Sequence, residues 1–204
     1  GGRPPVSTLT SIPIELPEEI LRAAAAAYAS PPRAYHSFAH AQEVLRHLAT
    51  VPAWEHPTEV QLAALFHDAV YVAGRSDNET KSADLALEAI ATHLRTPVDT
   101  ALVRRLIELT ARHGKLDRAT LDEEARLFLD CDMAILGAAP EVFDAYDAAI
   151  ATEYAHVPAL VYRFNRRRFL AHLLDADRIY LSDLFHGRLD AQARANLRRA
   201  VGRE

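Results

Sequence analysis

Between residues 57 and 70 the chain is strongly apolar, with "VQLAALF" broken only by Gln61, until His67 and Asp68 appear side by side at its end. Elsewhere apolar residues recur at three- and four-residue spacing, which is the pattern of helices with one buried stripe. The segments so predicted are 17–29, 35–49, 57–70, 78–94, 98–113, 121–136, 141–154, 158–174 and 191–201. Pro17 followed by Glu18 and Glu19 opens the first, and "SPPR" separates it from the second. Pro, Gly, Asp or Asn stands at each boundary. No stretch alternates as a strand would, so an all-α chain is expected. No internal repeat or compositional shift divides it. Residues 16–204 read as one helical bundle domain. Residues 1–15 read as a loose leader, and Gly1 and Gly2 without an initiator Met resemble an expression remnant.

Composition agrees with the pattern. Half of the 204 residues are apolar and only seven are glycine, which favours helix and is enough for a full core. A formal charge of −5 offers no basic face for a phosphate backbone, so nucleic acid is not expected as a bulk partner. The single cysteine, Cys131, cannot form an internal disulfide, and a reducing cytoplasm is the expected compartment. "RAAAAAYA" is too short and too closely flanked by charge to cross a bilayer, so no membrane partner is expected.

The chemistry concentrates in a few polar interruptions. In "AYHSFAH", His36 and His40 are four apart, and on one helix their rings would share a face. His67 and Asp68 beside a buried apolar run would be expensive to desolvate alone, and a metal cation would partner both. A fourth ligand is expected from "ARLFLDCDMAILG", where Asp130 and Asp132 lie about 200° apart around a helix. The stripe through Leu129, Met133 and Leu136 favours Asp132, but periodicity alone leaves both open.

In order along the chain, a His, a His-Asp doublet and a distant Asp resemble the HD superfamily of metal-dependent phosphohydrolases. The likeness extends over "HSFAH", "LFHDAVY", "NETKSADLA", "LTARH", "FLDCDMAILG", "EY" and "ARANLRRA", from about Glu18 onward, and is to a branch known only as predicted HD-superfamily hydrolases. It implies an all-helical fold with a central site of one or two divalent ions, in which His40, His67, Asp68 and Asp132 are the metal ligands. "YHSFAHAQEV" is also similar to a cyclic-nucleotide phosphodiesterase segment whose first histidine donates a proton, so the resemblance gives His36 that role. It further suggests that Glu79 orients water and that His113 contacts phosphate or a second metal. The match is incomplete. Tyr71 replaces a further phosphodiesterase histidine and Ser37 an asparagine, which argues against cyclic nucleotides.

Simpler explanations exist for several of these residues. Glu79 and Lys81 suit the start of a helix, and His113 suits a helix C-terminus. His93 and the remaining histidines read as surface or packing residues, and the Arg163, Arg166, Arg167, Arg168 run as mostly a solvated face, with Arg166 or Arg167 the candidates to reach a phosphate. Two imidazoles and two carboxylates suit six-coordinate Mn, Fe, Co or Mg better than Zn. The expected activity is hydrolysis of a small phosphoester or phosphoanhydride, a nucleotide being the leading candidate. The alternatives are an HD-fold di-iron oxygenase, which needs about two further ligands, and a metal-binding regulatory module without turnover. A homo-oligomer is compatible with all three.

Overall fold

Five helices are arranged around α3 (Pro57–Phe66), whose residues from Val60 to Phe66 are all buried. A helix apolar on every side needs neighbours on every side. α2 (Phe38–Ala49), α4 (Asn78–His93) and α5 (Thr100–Leu109) supply most of them, and α1 (Glu18–Tyr28) and α6 (Glu123–Asp132) make lighter contact. α7 (Pro140–Glu153), α8 (Ala159–Asp175) and α9 (Asp183–Val201) follow, with α8 packed along α9. This computed structural model describes residues 9–29 and 31–202. Among them there is no strand, only an isolated bridge between Thr10 and Trp54, so the fold is all-α. Among them too, no helix is long and apolar enough to cross a membrane.

The expected loose leader needs correction over residues 9–15; residues 1–8 lie outside the described ones. Thr10 exchanges two backbone hydrogen bonds with Trp54, and Ile12 is buried in the core. Gln61, the polar break in the apolar run, receives the Ile14 amide on its side-chain oxygen and donates its own amide to the Ile14 carbonyl. A buried amide side chain satisfied at both ends anchors the segment that crosses it.

Two other expectations shift. α2 begins at Phe38 rather than Tyr35, so His36 precedes the helix instead of sharing a face with His40. α9 begins at Asp183, earlier than the apolar pattern shows, because its start is set by hydrogen bonds. The Ser182 hydroxyl accepts from the Phe185 amide, while Asp130 accepts from the amides of Leu181 and Ser182 and from the Ser182 hydroxyl. Asp130 therefore joins α6 to the head of α9. Burial pushes its carboxyl up to about 6, against the opposing pull of these donors. Further along, α9 crosses the 3₁₀ turn at 134–137 so closely that a Cβ on Gly137 would stand 2.7 Å from the Leu189 Cβ. Only glycine permits that approach.

Candidate metal centre

Four side chains from three helix ends converge. His40 lies in the first turn of α2, His67 caps the C-terminus of α3 with Asp68 next to it, and Asp132 is the last residue of α6. One ligand atom from each lies within 4.8 Å of all the others. His67 Nε2 is 3.2 Å from His40 Nε2, 3.0 Å from Asp68 Oδ2 and 3.1 Å from Asp132 Oδ1, and His40 Nε2 is 2.9 Å from that same Asp132 oxygen. This group can hold a metal ion. Since α3 and α6 both direct their C-terminal ends at it, the negative end of each dipole adds to the attraction for a cation. Of the two aspartates left open by periodicity, Asp132 is in the group and Asp130 is not.

The ring of His67 is held by its other nitrogen. Nδ1 donates to the Ala64 carbonyl at 2.8 Å, which fixes the ring with Nε2 aimed at the cluster. Burial opposes a charge on His67, but Asp68 and then Asp132 outweigh it and raise its pKa well above the usual value. The two carboxyls respond in the opposite sense. Burial raises both, yet His67 and His36 hold Asp68 below the usual range, and His67 and His113 do the same to Asp132. Two acids drawn together at this depth call for positive charge, whether from protons or from a metal. Arg33 does not provide it as a contact to the carboxylates. Its guanidinium instead donates to the carbonyls of His36, Asp68 and Ala69, tying the segment before α2 to the doublet.

His113 and His36 stand next to the four donors in different ways. His113 Nε2 is 2.6 Å from Asp132 Oδ2, so Asp132 turns one oxygen towards His40 and His67 and the other towards His113. His36 bonds through Nδ1 to Glu153 Oε2 at 2.6 Å and lies stacked on Tyr71, ring centroids 3.9 Å apart. Glu153 Oε1 accepts the backbone amides of both Tyr35 and His36, so one carboxylate holds the backbone and the ring together. Burial lowers the His36 pKa, but Asp68 and the Glu153 hydrogen bond more than compensate and raise it. No role was assigned to Glu153 from the sequence. The available signal was an acid at the very end of α7, where the helix dipole disfavours it and some other partner is required.

His36, His40, Asp68, Tyr71, His113 and Asp132 face a cavity of about 650 Å³, whereas His67, Glu153 and Arg33 do not line it. Glu79, in the first turn of α4, also lines it without belonging to the four-donor group, and burial followed by Asp68 raises its carboxyl pKa. Arg166 lines it too, whereas Arg163, Arg167 and Arg168 are exposed. His93 ends α4 away from the cavity. No protein-family model matches the chain, and no curated protein matches it.

Proposed function

We propose that this chain is a metal-dependent phosphohydrolase of the HD type, acting on a small phosphoester or phosphoanhydride, a nucleotide first among them. The observation that carries this is the convergence of His40, His67, Asp68 and Asp132, all but His67 lining one cavity, beside a histidine already paired with a carboxylate. The all-helical fold and the order of these residues along the chain support the same reading.

The donor set fits a divalent ion. Two imidazoles and two carboxylates form a mixed nitrogen and oxygen set, which suits Mn, Fe, Co or Mg better than zinc. When bound, such an ion supplies Lewis acidity, drawing charge from a phosphoryl oxygen and making water more acidic.

The remaining chemistry belongs to the chain. Glu153 holds the His36 imidazolium and takes its Nδ1 proton as a hydrogen bond, which leaves Nε2 to donate a proton to the leaving oxygen of the substrate. Stacking on Tyr71 restricts the ring to that orientation. His113 holds the outer oxygen of Asp132 and thereby keeps the inner one aimed at the metal donors.

Phosphate release from a panel of nucleotides and simple phosphoesters, with Mn, Co, Mg or Fe added, tests this function, and Glu153→Gln tests the proton donor within it. Glutamine still accepts the two backbone amides but no longer stabilises the charged imidazole. The His36 pKa then falls, and since the protonated form is the active one, the alkaline limb of the pH–rate profile moves to lower pH. Turnover at neutral pH drops with it. An unmoved limb assigns Glu153 a purely structural part, and no phosphate from any substrate with any of the four metals overturns the function.

A further inference from the structure

From residue 159 to residue 169, α8 is helical without one buried residue, and burial begins only at Leu170 and Leu173. A surface helix ordinarily turns its apolar residues inward. Here Leu160 is 80 % exposed, Phe164 67 % and Val161 49 %. At about 100° per residue, Leu160 and Phe164 form an outward ridge, with Arg163 and Arg167 on one flank and Val161 and Arg168 on the other. The three arginines are exposed, none has an ion-pair partner among the described residues, and α8 carries no acid before Asp175. Tyr162, Arg166 and Phe169, on the opposite side of the same turns, line the cavity, so the ridge is the back of the cavity wall. Single apolar residues at a surface are ordinary, but three within two turns, bracketed by arginines, make a face for interaction.

Charge and shape decide what covers it. A second copy of the chain laid ridge to ridge would bring two sets of arginines together without an acid between them, which like-charge repulsion opposes. A partner protein would have to supply a groove that fits the ridge and is edged with carboxylates. A lipid surface conforms to any ridge. It takes the leucine and phenylalanine side chains among its acyl chains and offers phosphates at the height that arginine stems reach. In a chain of formal charge −5, an anionic surface repels the molecule as a whole and attracts it through this face, which fixes the orientation of approach. We propose that the outward face of α8 docks on an anionic phospholipid surface, with Leu160 and Phe164 inserted and Arg163, Arg167 and Arg168 on the headgroup phosphates. Such contact needs no membrane-spanning helix, and it is independent of the hydrolase reading.

The test is sedimentation of the protein with vesicles of phosphatidylcholine containing about 30 % phosphatidylglycerol, against vesicles of phosphatidylcholine alone. The wild type is expected to bind the anionic vesicles about tenfold or more tightly than the neutral ones, and less tightly as salt rises. Replacing Arg163, Arg167 and Arg168 together by Gln should weaken that binding roughly a hundredfold. Leu160→Ser combined with Phe164→Ser should weaken it roughly tenfold by removing the inserted ridge. All of these positions are exposed, so both variants should melt with the wild type. Binding that is absent, equal on the two kinds of vesicle, or unchanged in either variant overturns the proposal. A dimer seen by light scattering that comes apart in the Leu160→Ser, Phe164→Ser protein overturns it as well, because a second copy then covers the face.

Discussion

Asp68→Ala is expected to empty the metal site. Its carboxylate stands 3.0 Å from His67 Nε2 and 3.5 Å from His40 Nε2, and it carries one of only two negative charges in the donor set. Removing it halves the negative charge of the donor set and takes away one of four ligands, so affinity for a divalent ion falls steeply and the site is empty at ordinary metal concentrations. A ligand at a hundredfold excess over its Kd stabilises the native state by about 2.7 kcal/mol. Added Mn should therefore raise the wild-type melting temperature by roughly 5–10 °C in a chain of this size and leave the variant nearly unmoved. Asp130→Ala is the control. It lies two residues from Asp132 but accepts three hydrogen bonds at the start of α9, so it should lose roughly 2–4 kcal/mol of stability while still responding to Mn. Equal metal content in Asp68→Ala and wild type would remove Asp68 from the site.

His36→Ala should keep its metal and lose roughly 10²–10⁴ in turnover, the usual range for one general acid. The structure makes this variant informative because Glu153 Oε1 still receives the amides of residues 35 and 36 once the ring is gone. The segment before α2 keeps its anchor, and the loss falls on chemistry rather than on folding. Single-turnover rates, bound metal and melting temperature measured together separate the outcomes. Metal lost along with activity would make His36 a ligand, and full activity per folded molecule would take it out of the reaction.

What could be read from the sequence was local or periodic. The apolar run of α3 is legible because a helix buried on all sides needs no polar face, and His67 and Asp68 are conspicuous because nothing apolar explains them. The order of the four donors rested on resemblance, not on spacing, since His40 and Asp132 are 92 residues apart and meet only through packing. Helix periodicity brought His36 and His40 together for the wrong reason. They are neighbours because Glu153, 117 residues beyond His36, pulls the ring and backbone of a non-helical segment into place. Arg33 is hidden for the same cause, as its partners are backbone carbonyls of residues far along the chain, and carbonyls leave no trace in side-chain pattern. The choice between Asp130 and Asp132 was similarly unreadable. Both are inward, one towards α9 and one towards the donors, so the buried stripe leaned towards Asp132 without excluding Asp130.

The most direct measurement is the metal content of the wild-type protein purified without chelators, determined on the same sample that is assayed for phosphate release. One or two first-row divalent ions or Mg per chain are expected, with release that stops on chelation and returns when Mn is restored. A protein that takes up no divalent ion, or one that is loaded and consumes oxygen without liberating phosphate, would contradict the account.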